Sequence, residues 1–260
     1  MFLETLCERI SNTIFYQLKI IKLNAIDSTN TYLKELGKDL MLEDGVIVIT
    51  KKQTKGRGQM GAHWQSKSGE SLTFSMFKRF SSLPIEHQAG ITFAVALGVK
   101  SALKKLQIPG ISVKWPNDIM SYQKKLAGIL IENQFKSNVI SSSVIGIGLN
   151  VNETKFENLP QATSMRLNTG VVYNLDEVLT EVSEAVMIEL QRVEGGDFLK
   201  LKSDYEKVLF RKNKVSVFEN EAGQQFNGII KGISEEGFIL IEAENETLQQ
   251  FRLKEIKMLF

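Results

Sequence analysis

The chain of 260 residues is poor in cysteine and histidine, and this scarcity argues against several kinds of site. Its one cysteine, Cys7, cannot form an intramolecular disulfide, which is typical of proteins in a reducing compartment. We interpret Cys7 as a small buried hydrophobic residue or a tolerated surface thiol rather than as a nucleophile. The two histidines, His63 and His87, lie far from any other Cys or His along the chain. We therefore expect no metal ion bound by protein side chains.

An excess of charge of one sign and a long apolar run are also missing. Lys and Arg number 32 against 30 Asp and Glu, so the overall charge does not favour nucleic-acid binding. No apolar run approaches the roughly 20 residues that cross a bilayer. The N-terminus carries Glu4, Glu8 and Arg9, and it therefore lacks the apolar core of a signal peptide. We expect a soluble cytoplasmic protein that has neither DNA nor a membrane as a partner.

Hydrophobic periodicity predicts alternating strands and helices over most of the chain. Ser28 is a plausible N-cap of a short helix that ends at Gly37. Longer helices are predicted from Pro84 to near Pro109 and over 175–190, with a short one over 205–209. The predicted strands cover residues 20–27, 46–50, 72–76, 111–115, 126–131 and 144–151.

From about Lys212 the pattern changes to short strands separated by turn residues. The candidate strands cover residues 215–218, 226–231, 237–242 and 248–253. This spacing is typical of a small, barrel-like β domain. The sequence therefore predicts two domains, residues 1–211 and residues 212–260.

A glycine-rich loop, residues 51–64, follows the second predicted strand. It contains Gly56, Gly58 and Gly61 beside Arg57, and it ends at Trp64. Glycines let a backbone approach a ligand closely, and the cations indicate that this ligand is an anion. The spacing G-x-G-x-x-G matches the dinucleotide fingerprint only formally, because lysines separate it from the strand and no helix follows. A solvated surface loop would explain the glycines and lysines but not the tryptophan.

Three further motifs lie at the ends of predicted strands. They are K-W-P-N-D at 114–118, K-L-A-G-I-L-I-E at 125–132 and G-I-G-L-N-V-N at 146–152. Charges at strand ends are usually solvated and glycines often mark bulges, so each motif alone has an ordinary structural explanation. In an α/β protein, however, strand ends are also where sites usually form.

The four motifs together, in this order, resemble those of the biotin protein ligases. Residues Ser28, Thr29, Asn30 and Gln53 fall where that family binds its vitamin. The resemblance runs from about Ile20 to the C-terminus. It implies an α+β fold, with a mixed-sheet catalytic domain of the biotin/lipoate-ligase type followed by a small SH3-like β-barrel. Some members carry an N-terminal DNA-binding domain, for which the preceding residues are too few, so we expect the short form.

The resemblance implies an ATP-dependent biotin--[biotin carboxyl-carrier protein] ligase. Such an enzyme forms biotinyl-5'-AMP from biotin and ATP and then transfers biotin to a lysine of a biotin carboxyl carrier domain. The acceptor implied is the carrier domain of acetyl-CoA carboxylase or a related carboxylase. Mg²⁺ would bridge the phosphate oxygens of ATP. The oligomeric state, monomer or homodimer, is left open.

The resemblance also assigns roles to individual residues. The catalytic set is Arg57, Lys114, Asp118 and Lys125. The biotin-binding set is Ser28, Thr29, Asn30, Gln53, Gly56, Arg57, Lys125 and Gly128. The set for ATP and the adenylate is Arg57, Gln59, Trp64, Lys114, Asn117 and Asn150.

Within these sets the chemistry differs from residue to residue. Arg57 can fork onto a carboxylate or phosphate, and Lys125 would hold the biotin carboxylate and the α-phosphate as negative charge develops. Asp118 would align the incoming lysine amine. Asn150 would read the adenine ring, over which Trp64 would pack when the loop closes.

Gln59 departs from the family pattern, because many members have arginine there. A neutral side chain contributes no charge toward the adenylate. Either a neighbouring lysine such as Lys55 compensates, or the adenylate is held less tightly, and we favour the weaker retention.

Two other functions compete with this interpretation. A lipoate ligase has a similar fold and chemistry but would not need the polar cluster formed by 28–30 and Gln53. A non-catalytic protein that senses the adenylate is the second, and the presence of Arg57, Lys114, Asp118 and Lys125 argues against it.

Overall fold

The computed structural model describes residues 18–39, 41–244 and 246–259. Cys7 and the charged N-terminal residues Glu4, Glu8 and Arg9 lie outside these ranges. Two β-sheets and five α-helices make up most of the described chain.

The larger sheet has seven strands in the spatial order β1-β2-β3-β7-β6-β5-β4. Their bounds are β1 Lys19–Ile26, β2 Val46–Gln53, β3 Leu72–Pro84, β4 Ile111–Lys114, β5 Asp118–Ser121, β6 Lys124–Lys136 and β7 Val139–Leu149. Strands β1 and β2 run parallel, and every other neighbouring pair is antiparallel. The mixed sheet confirms the predicted fold class. The predictions missed the short strand β5.

Helices cover both faces of this sheet. They are α1 Thr29–Asp39, α2 Gln88–Lys105, α3 Met165–Thr169, α4 Leu175–Glu194 and α5 Phe198–Lys207. On one face, α2 and α4 pack with the main core, and a Cβ at Gly98 would lie 2.6 Å from Cα of Val186. On the other face, Leu33 of α1 packs with Val48 and Phe77. Successive residues of β2 alternate between the two cores, as the pleat of a strand requires.

Helix α1 does not end at Gly37, so that prediction was wrong. The helix continues to Asp39, and a Cβ at Gly37 would make ordinary contact with Leu42 at 3.4 Å. Glycine is tolerated inside a helix at a cost of about 1 kcal/mol relative to alanine, which packing of the helix can offset. Ser28 does act at the start of α1, where its Oγ accepts a hydrogen bond from Thr31 N at 3.4 Å.

The second sheet contains five antiparallel strands in the order β11-β10-β9-β8-β12. Their bounds are β8 Val215–Asn220, β9 Gln225–Ile233, β10 Ile239–Ala243, β11 Leu248–Phe251 and β12 Ile256–Leu259. The sheet is consistent with the predicted SH3-like domain, although its two outer strands do not pair and it is not a closed barrel. The last strand, β12, was also missed. Among the described residues, no helix is both long and apolar enough to span a membrane.

Candidate active site

The four sequence motifs converge on one cleft over the large sheet. Of the predicted site residues, eleven line it: Ser28, Thr29, Asn30, Gln53, Arg57, Gln59, Trp64, Asn117, Asp118, Lys125 and Gly128. Gly56 lines an adjoining cleft on the outer side of the glycine-rich loop. Lys114 lines a neighbouring cleft toward the second sheet, which Asp118 also borders. Asn150 is 4% exposed at the end of β7 and does not line the main cleft.

A buried polar cluster stands at the N-terminus of α1. Gln53 Oε1 accepts hydrogen bonds from Thr29 N at 2.7 Å and from Thr29 Oγ1 at 3.1 Å. Ser75 Oγ donates to Asn30 Oδ1 at 2.5 Å and lies 2.7 Å from the hydroxyl oxygen of Thr29. A Cβ at Gly146 would collide with Asn30 Oδ1, so glycine is needed there. The cluster is a preorganised set of donors and acceptors beside the cleft.

Ser75 is a member of this cluster that the sequence analysis missed. It lies in β3, where it alternates with the apolar residues Phe74 and Met76. In the structure it is fully buried, because α1 covers that face. The only signal in the sequence was a serine between two apolar residues, which many strands share.

The glycine-rich loop folds into a small hairpin over the cleft. Arg57 and His63 form a β-bridge, and Gly58 N donates to Ala62 O at 2.7 Å. Its tip turns at Met60 and Gly61, both of which have positive φ, 58° and 83°. The hairpin directs both Arg57 and the following tryptophan toward the sheet.

Trp64 rests on a seat made by two paired glycines. Gly128 of β6 and Gly148 of β7 lie opposite each other in the ladder. A Cβ at Gly128 would lie 3.3 Å from Cζ3 of Trp64, and one at Gly148 would overlap the indole ring. Trp64 therefore fills the space that the absent side chain of Gly128 leaves. Its Nε1 is buried and has no hydrogen-bond partner in the described ranges.

Two ion pairs neutralise the principal cations of the cleft. Lys125 Nζ lies 2.6 Å from Asp118 Oδ1, and Arg57 Nη2 lies 2.5 Å from Glu132 Oε2. The side chains of Lys125 and Arg57 are 38% and 45% exposed, whereas those of Asp118 and Glu132 are each 20% exposed. An anionic ligand that enters the cleft can therefore reach both cations.

Burial and neighbouring charge shift the pKa of two ionisable groups here. Burial raises the pKa of Glu132, but the hydrogen bond from Asn30 and the charges of Arg57 and Lys34 outweigh it. Its pKa lies below the ordinary value, and the carboxylate is ionised at neutral pH. Burial is the main reason that the pKa of Lys114 is lowered. Glu132 was quoted within a motif but was not predicted to be a site residue.

Asn117 and Asn150 both hold backbone in place. Asn117 Nδ2 donates to Ile129 O at 2.7 Å, which ties the K-W-P-N-D turn to β6. Asn150 Nδ2 donates to Thr163 O at 2.9 Å. Asn150 Oδ1 is buried without a partner among the residues described, so it can accept one further hydrogen bond.

The chain is similar to known ligases over most of its length. Residues 23–150 match the model of the Biotin/lipoate A/B protein ligase family. The biotin--[acetyl-CoA-carboxylase] ligase of Mycobacterium tuberculosis is 30% identical over 213 residues, which are 79% of this chain and 76% of that one. The bifunctional ligase/repressor BirA of Escherichia coli is 29% identical over 228 residues, 85% of this chain and 68% of that one.

Solved structures agree with these sequence relatives. The biotin protein ligase from Aquifex aeolicus in complex with biotin and ATP superposes with a TM-score of 0.76 and 27% sequence identity. That match covers 93% of this chain and 98% of the Aquifex chain. The fold, the motifs and these relatives agree, and the chain belongs to the biotin protein ligase family.

Proposed function

We propose that the cleft beneath the glycine-rich loop is where this ligase joins biotin to ATP and later transfers the biotin to a protein lysine. The observation that carries the proposal is the convergence of a polar cluster, two cations and one carboxylate on a single cleft. We also propose that residues 1–211 form the catalytic domain and residues 212–260 the second domain. The boundary falls between α5, which ends at Lys207, and β8, which begins at Val215.

The first step brings two anions together. A carboxylate oxygen of biotin attacks the α-phosphorus of ATP, and the bond to the pyrophosphate oxygen breaks. Arg57 and Lys125 would balance the charge that develops, and Lys114 would contact the phosphates. Substrate oxygens would replace Asp118 as the partner of Lys125.

Magnesium enters this proposal as part of the nucleotide. No group of three or more His, Cys, Asp or Glu side chains that could hold a metal ion occurs in the part of the chain that the structure describes. Mg²⁺ commonly binds through substrate phosphates with few protein ligands. We therefore treat the ATP–Mg²⁺ complex as the substrate.

The polar cluster would bind the ureido ring of biotin. Ser28, Thr29 and Gln53 supply hydroxyl and amide groups, and backbone near Gly128 would add others. Asn30 lies beside them and reaches Glu132. Gly56 would let the loop backbone approach the ligand. A lipoyl chain has no ureido group and would leave these buried polar atoms without a matching ligand.

The adenine and adenylate would lie toward Asn150 and the loop. Asn150 Oδ1 would accept a hydrogen bond from the adenine amino group, and Asn117 would keep the K-W-P-N-D turn against β6. Trp64 would pack over the adenine. Gln59 lines the cleft without adding charge, so weaker retention of the adenylate stays our prediction for this chain.

In the second step a lysine amine of a carboxyl carrier domain attacks the anhydride carbonyl, and AMP leaves. Asp118 would align that amine, and the released proton passes to solvent or to this carboxylate. We expect the acceptor to be a carrier domain and the enzyme to be cytoplasmic. We also expect it to be a monomer or a homodimer and to bind no DNA.

ATP–pyrophosphate exchange, measured with biotin and with lipoate separately, tests the proposal. We expect exchange with biotin, because the ureido-binding cluster is intact, and little with lipoate. Exchange with lipoate alone would identify a lipoate ligase. Exchange with neither acid would contradict adenylate formation and favour a non-catalytic sensor.

A further inference from the structure

Glu132 connects the glycine-rich loop to the rigid part of the cleft. Its Oε2 accepts hydrogen bonds from Arg57 Nη2 at 2.5 Å and from Asn30 Nδ2 at 2.9 Å, and Lys34 Nζ lies 3.3 Å from its Oε1. Arg57 lies in the loop, whereas Asn30 and Lys34 belong to α1. One carboxylate therefore links two segments that are separated by more than 20 residues in the chain.

The same carboxylate extends the buried polar cluster. Asn30 donates to Glu132 and accepts from Ser75, which in turn contacts Thr29, the hydrogen-bond donor to Gln53. An unbroken chain of hydrogen bonds thus runs from the ureido-binding end of the cleft to the arginine. Such networks fix the positions of their members more strongly than isolated bonds do.

Glu132 stands on the sheet, whereas Arg57 stands on the hairpin that covers the cleft. Glu132 lies in β6 and is paired with Val144 of β7, which is paired in turn with Phe77 of β3. The backbone of Arg57 is held by the bridge to His63, but its side chain is 45% exposed. An arginine there needs an external contact if it is to face its ligand in one orientation.

We propose that Glu132 is a positioning residue, which orients the Arg57 guanidinium over the biotin pocket and couples it through Asn30 to the polar cluster. This inference rests on the proposed function of the cleft. It adds a residue that acts through Arg57 without touching the reacting atoms.

The alternative role for Glu132 is competition with the substrate for Arg57. The geometry favours positioning, because only Nη2 of the guanidinium bonds to Glu132, while Nε and Nη1 have no hydrogen-bond partner among the described residues. Arginine carries five N–H donors, so it can bind an anion while it keeps the bond to Glu132. Glu132 also keeps its hydrogen bond from Asn30 and its ion pair with Lys34 when Arg57 binds an anion.

A double-mutant cycle in the full chain tests the proposal, with biotin affinity measured by calorimetry. Glu132→Gln is expected to weaken biotin binding about tenfold by releasing Arg57. In an Arg57→Met background the same change is expected to alter affinity less than about twofold, since Glu132 then has nothing to orient. Glu242→Gln, which removes a comparable partly exposed ion pair with Lys231 in the second sheet, is the matched control.

Three results would overturn the inference. Tighter biotin binding by Glu132→Gln would indicate competition, and equal losses in both backgrounds would indicate a purely structural role. Unchanged biotin affinity in Glu132→Gln would show that Glu132 has no role in biotin binding. If Glu132→Gln does not fold, Glu132→Asp replaces it in the cycle, since the shorter acid cannot reach Arg57. Failure of the unmodified chain to bind biotin would instead contradict the proposed function itself.

Discussion

At the scale of single residues, the pair formed by Asp118 and Lys125 governs what the cleft can do before substrate arrives. Their 2.6 Å contact cancels the charge that adenylate formation needs. The lysine must exchange this partner for substrate oxygens, after which the carboxylate is free to face an incoming amine. In the proposed mechanism, one ion pair would thus serve the two half-reactions in turn.

Asp118→Asn is expected to separate these half-reactions. The amide keeps the shape but does not hold Lys125, so adenylate formation should be retained or slightly increased. Transfer to the acceptor lysine should fall by about 100-fold, within the range that positioned acid–base groups contribute. Pyrophosphate exchange measures the first half-reaction, and single-turnover transfer from preformed adenylate measures the second. Equal losses in both would contradict an aligning role for Asp118.

Residues in motifs could be located from the sequence, but their partners could not. Arg57, Lys125 and Asp118 stand in distinctive spacings, so the cleft could be predicted before any fold was known. Glu132 and Ser75 make contacts with residues 75 and 46 positions away. Such contacts depend on strand order, which periodicity within one segment does not specify.

At the scale of elements, the glycine-rich hairpin packs on strands β6 and β7 through the indole ring of Trp64. Gly128 and Gly148 remove the two side chains that would stand beneath the indole of Trp64. A glycine in a strand shows that something approaches closely, but it does not show what approaches. The structure identifies the neighbour as the loop's own tryptophan.

Gly148→Ala tests this seat. The added methyl group overlaps the Trp64 ring, so the hairpin must lift away from the sheet. We expect stronger quenching of tryptophan fluorescence by acrylamide and a loss of adenylate formation of at least about tenfold, since small displacements of positioning groups are costly. Gly195→Ala is the matched control, because its methyl group would meet Gln191 O at an ordinary 3.4 Å. Quenching equal to that of the control would show that Trp64 does not depend on the glycine seat.

Long periodic elements could be predicted better than short ones. Helix α4 and strand β7 could be predicted because each contains many apolar residues at regular spacing. Four residues are a weak basis for a period, and of the four-residue strands β4 and β11 were predicted whereas β5 and β12 were not. The end of α1 was misplaced because the propensity of Gly37 to stop a helix was overridden by its packing.

At the scale of the whole molecule, the two sheets are joined close to the K-W-P-N-D turn. Trp115 Nε1 donates to Gly237 O, in the turn between β9 and β10, at 2.9 Å, and Tyr205 of α5 donates to Pro116 O at 3.2 Å. These contacts lie next to Asp118 in the chain. The second sheet thereby supports the turn that carries the proposed aligning carboxylate.

Glu206 of α5 is the acidic residue of this junction. Its Oε1 accepts a hydrogen bond from Ile233 N of β9 at 2.9 Å, and Lys202 and Lys212 flank it. Burial raises the pKa of Glu206, but the bond from Ile233 and the two lysines outweigh it, so its pKa lies below the ordinary value. A carboxyl whose folded pKa is depressed stabilises the fold above its unfolded pKa, and this contribution is lost as the pH falls.

Glu206→Gln is therefore expected to destabilise the chain at neutral pH and much less in acid. A hydrogen bond to a charged group contributes about 1.5 to 3 kcal/mol, so the unfolding free energy should fall by roughly that amount at pH 7. The difference should shrink as the pH drops below the ordinary glutamate value of about 4.3, because the unfolded chain binds a proton there and the folded carboxylate does so only at lower pH. Urea unfolding of both proteins between pH 7 and pH 3 measures the difference. A difference that stays constant over this range would mean that the carboxylate charge does not hold the two sheets together.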